Sequence, residues 1–518
     1  MPVKVNSAAI NALEAVKIDV EVDCTPGLHA FNIVGLPDKS VEESKDRLDS
    51  AIRNSGFANP KSKNIKVVVN LAPASIKKAG SLLDLPMALG YLLATDQINP
   101  PSARSDEGGS ESRLVVGELS LDGLIKPVRG VLPIAILAKE LNFSEVIVPK
   151  ANAREAAMIQ GVRVIGVQSL KEVVSYLKQE IDLESEKQPY LAETTNLVDE
   201  LDFSSIKGQE SAKRALLIAA AGGHNVLMYG PPGSGKTILA KALRGILPPL
   251  SYEEAIDVTR IYSVAGLTGE AGLISQRPFR SPHHTTSAPA IIGGGNIPRP
   301  GEISLSHRGI LFLDELPEFP RNVLESLRQP MEDGQVTVSR ASGSGHFPAR
   351  FMLVGAMNPC PCGNLGSEKE ACVCIPQVAW RYRKKISGPL LDRIDLQVFV
   401  PRETYANLSQ EEISESSEKM REKVILARKI QMEKFKKYRF FNNAEINLKN
   451  IKEICSLAPD AETFLGRFVE KNNISGRGYH RILKVSRTIA DLDQSEIIQE
   501  HHITEAVNFR LSELSKMV

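Results

Sequence analysis

Between Val16 and Val22 apolar and charged residues alternate. Val16, Ile18, Val20 and Val22 are separated by Lys17, Asp19 and Glu21. Side chains of an extended chain point to opposite faces in turn, so this pattern predicts a half-buried strand. Ile65–Leu71, Leu114–Leu121 and Glu145–Pro149 predict three more strands, and Ser40–Asn54 and Pro133–Leu141 predict helices. Ser81–Ala94 is the longest apolar run here, but Asp84 and Pro86 interrupt it, which favours a buried helix over a membrane span. Strands alternating with helices argue an α/β or α+β unit over residues 1–178. The stretch Pro100–Ser112, rich in Ser, Gly, Asp and Glu, is expected to be a mobile loop, and the polar, aperiodic 179–205 a linker. From 206 to 403 the alternation gives way to short apolar runs, Asn225–Tyr229, Ile310–Leu313 and Phe351–Met357. Strands buried on both faces of a parallel sheet look like this. Glu411–Lys437 is charged with helical spacing and opens an α-rich unit over 404–518.

The chain has 518 residues, which implies about two to four domains. A formal net charge of +1 gives no global support for a polyanion partner, so any basic surface must be local. Residues Met1–Ser7 carry no apolar signal region, and no uncharged apolar run reaches the roughly 18 residues of a membrane span. Four of the six cysteines fall between Cys360 and Cys374, a spacing that suits metal binding in a reducing compartment. These features suggest a cytoplasmic protein.

The sharpest chemistry is Gly230-Pro231-Pro232-Gly233-Ser234-Gly235-Lys236-Thr237, which matches the phosphate-binding P-loop pattern. An apolar strand leads into it and an apolar-periodic helix leads out. The glycines let backbone N–H groups close around phosphate oxygens at a helix N-terminus. Lys236 is expected on the β/γ-phosphates of ATP and Thr237 on Mg²⁺. Ile310–Leu313 ends in Asp314 and Glu315, where Asp314 would hold the Mg²⁺ shell and Glu315 would polarise the attacking water. Asn358, at the end of a further apolar strand, can orient that water or simply begin the next loop. Arg393, in Leu391-Asp392-Arg393, can reach a neighbouring subunit's γ-phosphate or form a surface ion pair with Asp392 or Asp395. Arg477, Arg481 and Lys484 fall on one helical face and Ile482, Val485 and Ile489 on another. That helix reads either as amphipathic with a solvated basic side or as a lid that points Arg477 at nucleotide.

Cys360-Pro-Cys362 and Cys372-Val-Cys374 supply four thiols that suit tetrahedral Zn²⁺, or remain free. Gly272–Gly295, with Arg277, Arg280, His283 and His284, is a candidate for gripping a polymer. Gln335–Arg350, which reads as a hairpin, is another. Arg280, Arg340 and Arg350 are candidate phosphate contacts, and Trp380-Arg-Tyr-Arg-Lys-Lys385 interleaves aromatics with bases. Each reads equally well as an ordinary surface loop or a contact between subunits.

Taken together, the P-loop, the acidic strand, Asn358, Leu391-Asp392-Arg393 and the Arg477 helix resemble an AAA+ ATPase of the magnesium-chelatase type. Arg280-Ser-Pro-His-His284, Leu327-Arg-Gln-Pro-Met-Glu332 and Asn358-Pro-Cys-Pro-Cys-Gly363 narrow the resemblance to the YifB/ComM group. The resemblance implies that Arg393 is an arginine finger, Arg477 a second sensor, and Asp202–Gln209 a segment packed on adenine. It further implies a hexameric, ATP-driven motor that branch-migrates DNA during natural transformation. An ATPase subunit of a metal-chelatase complex that remodels a partner protein is the alternative. Residues 65–150 are similar to the proteolytic domain of Lon-type proteases, but Leu82 stands at the nucleophile position, beside Ser81, and Leu132 at the lysine position. A fold kept without its Ser–Lys dyad is the expectation there.

Overall fold

The computed structural model describes residues 2–62, 64–75, 77–78, 80–99, 113–188, 201–269, 272–295, 298–340, 343–365, 370–403, 415–438 and 440–510. The expected loop 100–112 lies wholly outside them, as do positions 189–200 of the expected linker.

The alternating segment forms the strand Glu14–Pro26, with Ile18, Val20 and Val22 buried. It pairs antiparallel with Val3–Asn11 on one side and Ile65–Ala72 on the other, and Ala30–Val34 adds a parallel edge. The helix Asp84–Ala94 covers this sheet, its residues from Asp84 to Leu92 all buried. It lies so close that a Cβ on Gly90 would meet Val22 Cγ2 at 2.5 Å. A second sheet, wholly parallel, orders Arg113–Val115, Glu145–Pro149 and Arg163–Val167.

Two expectations for this half need correction. The helix over Ser40–Asn54 is two helices, Lys39–Glu42 and Ser44–Asn54, that break at Glu43. The strand over Leu114–Leu121 stops at Val115, because Gly117 turns its N–H to Leu82 O (2.9 Å) and its carbonyl to Leu85 N (3.0 Å). The chain then restarts as Glu118–Leu119 in a short hairpin with Ile125–Lys126. Leu82 and Leu132 are both buried, the Ser81 hydroxyl donates to the Glu118 carboxylate, and Lys78 Nζ donates to Pro73 O. Neither Ser81 nor Lys78 therefore bonds the other.

The apolar runs after residue 206 form a five-stranded parallel sheet. Its spatial order is Phe279–Arg280, Ile310–Leu313, Met352–Met357, Val226–Tyr229, Leu396–Phe399. On one face the sheet shares a core with the helices Glu210–Gly222, Lys236–Ile246 and Ser417–Lys434 and with Gly476–Leu492 and Glu500–Asn508. The chain is thus mixed α/β around a parallel sheet, with helices over its C-terminal part. The helix Tyr252–Ala265 ties the halves together. Ala255 and Val258 enter the N-terminal core, and Ser263 O accepts from Gly130 N at 3.1 Å.

Candidate nucleotide site

Parallel strands present all their C-terminal ends at one edge of a sheet, and the P-loop, Asp314, Glu315 and Asn358 each follow a strand at that edge. Gly235 has φ +93° and starts the helix Lys236–Ile246, a turn that an L side chain strains. Gly230 passes Val400 O so closely that a Cβ would sit 2.1 Å from it. Lys236 is buried. Its Nζ donates to the carbonyls of Gly230 and Pro231, both at 2.8 Å, and lies 3.3 Å from Ser234 Oγ and from Asn358 Oδ1. Burial pulls its ammonium down to about 8. Thr237 Oγ1 donates to Asp314 Oδ2 at 2.8 Å. A hydroxyl and a carboxylate converging at a phosphate loop form the hard-oxygen donor set that Mg²⁺ prefers. Glu315 adopts φ +50°, its side chain is half-exposed, and its backbone N–H donates to Asp314 Oδ1 at 2.9 Å. His284 Nδ1 lies 3.4 Å from its Oε2. Sequence reading placed His284 among polymer-gripping residues and in a family motif; its neighbour here could not be inferred from spacing. Gln209 Nε2 reaches Ser234 O at 3.4 Å and Pro401 O at 2.7 Å, which sets the Asp202–Gln209 segment against the P-loop.

Arg393 and Arg477 are not in this group. Both sit at the opposite edge of the sheet, where the strands begin; Arg477 lines a cleft of about 840 Å³ there, with Asn225, Glu332, Asp395, Arg481 and Lys484 among others, and Arg393 meets that cleft through Glu332. The alternative reading of Arg393, a surface ion pair with Asp392 or Asp395, is not what the structure shows. Its side chain is 6% exposed, and its Nη2 pairs with Glu332 Oε1 at 2.5 Å while Nη1 donates to Pro389 O at 2.7 Å. Arg477, 63% exposed, approaches the same Glu332 oxygen at 3.5 Å. Asp395 instead pairs with Arg481. Burial alone would raise the Asp395 carboxyl; Arg481 and the His224 ring outweigh it and hold it well below the usual carboxylate range. Arg481 Nη1 and Asn225 Nδ2 each donate to Arg393 O at 3.0 Å, and Leu353 N donates to Asn225 Oδ1 at 2.8 Å. Asn225 directly precedes the strand that carries the P-loop, so one side chain joins that strand to the Arg393 loop. Sequence reading saw Asn225 only as the first residue of the strand before the P-loop, and Glu332 only as part of a family motif.

Three family models match along the chain: "Subunit ChlI of Mg-chelatase" over residues 20–152, "Magnesium chelatase, subunit ChlI" over 202–408, and "Magnesium chelatase, subunit ChlI C-terminal" over 414–510. The chain is 43% identical over 522 residues to "Competence protein ComM" of Haemophilus influenzae, covering 99% of each. It is 40% identical over 507 residues to "Uncharacterized protein YifB" of Escherichia coli, covering 98% of this chain and 96% of that one. The chain belongs to the YifB/ComM family. To the magnesium-chelatase 38 kDa subunit of Rhodobacter capsulatus it is 31% identical over 175 residues, 30% of this chain and 50% of that subunit. The domains are those of magnesium-chelatase-like AAA+ ATPases, a class that uses nucleotide and Mg²⁺.

In this YifB/ComM chain the loop after Asn358 packs on the P-loop. A Cβ on Gly363 would lie 2.4 Å from Pro232 Cδ. Four Sγ atoms gather there, all within 4.8 Å of one another. Cys360 lies 3.3 Å from Cys362 and 3.7 Å from Cys372, and Cys362 lies 3.6 Å from Cys372. Bonds of about 2.3 Å in a tetrahedron set sulfurs roughly 3.8 Å apart, so the four thiols fit Zn²⁺. The backbone N–H of Asn364 pulls the Cys362 thiol down to about 6, whereas burial raises that of Cys360.

The polymer-gripping candidates fare unevenly. Arg280 is paired in two bonds with Glu302, at 2.6 and 2.7 Å, Arg277 with Glu254 at 2.8 Å, and Arg350 with Glu445 at 2.9 Å. The charge of each already has a carboxylate beside it. Gln335–Arg340 and Gly343–Pro348 do form the expected hairpin; the Arg340 side chain is outside the described residues. Tyr382 is buried and so not free to stack, while Trp380 is exposed with Lys384 Nζ 5.3 Å from its ring. No described helix is long and apolar enough to cross a membrane.

Proposed function

We propose that the chain is one protomer of an ATP-hydrolysing ring that works on DNA, and that each active site forms between two copies. The observation that carries this reading is the placement of the two halves of an ATPase site at opposite edges of one parallel sheet. Lys236, Thr237, Asp314, Glu315 and Asn358 lie at one edge and Arg393 and Arg477 at the other. In the ring, Gly230–Thr237 cradle the triphosphate of ATP, and Lys236 turns from its loop carbonyls to the β/γ-phosphates. Thr237 and Asp314 would hold Mg²⁺, which would offset negative charge on the phosphates. Glu315 takes the proton of the attacking water that Asn358 orients. Arg393 and Arg477 of the next protomer offset charge as the γ-phosphate leaves. A second sensor acting on its own protomer's nucleotide does not suit the distance between the two edges.

Residues 1–178 then form a Lon-protease-like unit without a Ser–Lys dyad, 179–205 the linker, 206–403 the AAA+ core and 404–518 a helical lid unit. Cys360, Cys362, Cys372 and Cys374 hold Zn²⁺, which braces the loop against the P-loop. Similarity along nearly the whole length to a protein named for competence favours branched or single-stranded DNA as the polymer, and a hexamer as the ring, in recombination during natural transformation. The chelatase-subunit reading has the three chelatase family models in its favour, but the 38 kDa chelatase subunit itself matches only 30% of the chain, against 99% for the competence protein. Turnover of ATP measured against single strands, duplexes, forks and junctions tests the proposal. Branched or single-stranded DNA should raise the rate, with binding that weakens steeply as salt increases, and Glu315→Gln should bind ATP without turning it over. Turnover indifferent to every DNA form, with no salt-dependent binding, would refute the DNA motor.

A further inference from the structure

Arg393 and Arg477 come from distant parts of the chain, yet one atom meets both. Glu332 Oε1 lies 2.5 Å from Arg393 Nη2 and 3.5 Å from Arg477 Nη2. Two guanidinium groups that share one carboxylate oxygen are neighbours, and like charges this close repel unless an anion stands between them. Arg393 has few other restraints at its tip. Nη1 bonds Pro389 O, and its buried Nε has no hydrogen-bond partner. The backbone behind it is fixed, since Arg481 and Asn225 both donate to the Arg393 carbonyl. Arg481 stands one helical turn beyond Arg477, so the helix Gly476–Leu492 is already moored to the Arg393 loop. What remains free is the direction in which the two guanidinium groups point, and Glu332 is the group that sets it. Glu332 occupies the last turn of the helix Arg328–Asp333, which Gly334 ends at φ +66°. Partial burial would raise its carboxyl, but Arg393 and then Arg477 and Arg481 outweigh this and keep it below the usual carboxylate range.

We infer that Glu332 is a positioning residue for the next protomer's ATPase site: its carboxylate holds Arg393 and Arg477 together as one cationic unit aimed at that neighbour's γ-phosphate. The inference rests on the shared-site reading above. Glu332 touches no nucleotide, and acts through the two arginines. With a side chain 42% exposed, it can be replaced without opening the core.

Glu332→Gln keeps the size of the side chain and removes its charge. It should lower kcat about tenfold or more, while nucleotide affinity at the protomer's own P-loop stays within about twofold. Glu332→Asp should recover part of the loss. Mixing separates this role from a merely structural one. Lys236→Ala has no working P-loop but intact arginines, whereas Glu332→Gln has the reverse. Mixed rings should turn over ATP well above either variant alone, as should Lys236→Ala mixed with Arg393→Ala. Wild-type turnover by Glu332→Gln overturns the inference. So does a Glu332→Gln mixture that stays inactive while the Arg393→Ala mixture recovers, since Glu332 would then serve its own protomer. If neither mixture recovers, the shared site is itself wrong and the inference falls with it.

Discussion

Lys236 is a cation in a place that disfavours cations. It is buried, it donates to two carbonyls of its own loop at 2.8 Å, and burial brings its ammonium down to about 8 from an ordinary value of 10.5. The free protein therefore begins to lose this proton in the mildly alkaline range. A bound triphosphate favours the charged form and raises the group again. Nucleotide binding should then take up a proton above about pH 8, and affinity should fall as pH rises through that region. Calorimetry of ATP binding at pH 8.5 in two buffers of different ionisation enthalpy reads the proton uptake directly. Identical heats in both buffers, with an affinity flat from pH 7 to 9, would show that Lys236 stays charged throughout.

The elements that bear this site were largely legible, and the reason is local. A P-loop is a contiguous run whose glycines and lysine act through backbone geometry, and a strand buried on both faces is a contiguous apolar word. Val226–Tyr229, Ile310–Leu313 and the hairpin after Gly334 could therefore be read from neighbouring positions alone. Charge pairing is not local. Arg393 stands beside Asp392 and two positions before Asp395, yet it pairs with Glu332; Arg280 pairs with Glu302 across a chain reversal. The strand expected over Leu114–Leu121 failed for the same reason, because Gly117 finds its partners at Leu82 and Leu85, on either side of Asp84. The cysteine loop is an intermediate case. Its two C-x-C pairs are visible in sequence, but its contact with the P-loop through Gly363 and Pro232 is tertiary. If Zn²⁺ braces that contact, purified protein should carry about one Zn²⁺ per chain. Cys360→Ser with Cys372→Ser should abolish it and weaken nucleotide binding as well, whereas protein that purifies with no metal would leave the four thiols as free cysteines.

The two groups of residues proposed as halves of one ATPase site lie at opposite edges of the sheet, and the sheet makes that separation rigid. The strands between the two edges are four to six residues long. At about 3.3 Å per residue they hold the edges roughly 13–20 Å apart. Arg393 cannot cross that span, because its carbonyl is tied to Asn225 at the foot of the P-loop strand and its guanidinium is buried. On the proposed reading, completion of the site requires a second copy whose Arg393 edge meets the P-loop edge of the first, a head-to-tail contact that gives a ring where its rotation closes rather than a two-fold dimer. Turnover per chain should consequently rise with protein concentration and level off once rings dominate. Arg393→Ala should leave ATP affinity within about twofold and reduce turnover on the order of a thousandfold at every concentration. The rate measured across dilution, alongside sedimentation of the same samples, checks both. Full turnover by a sedimenting monomer, or by Arg393→Ala, would mean that the chain completes its site without a neighbour, and the edge-to-edge arrangement would have to be abandoned.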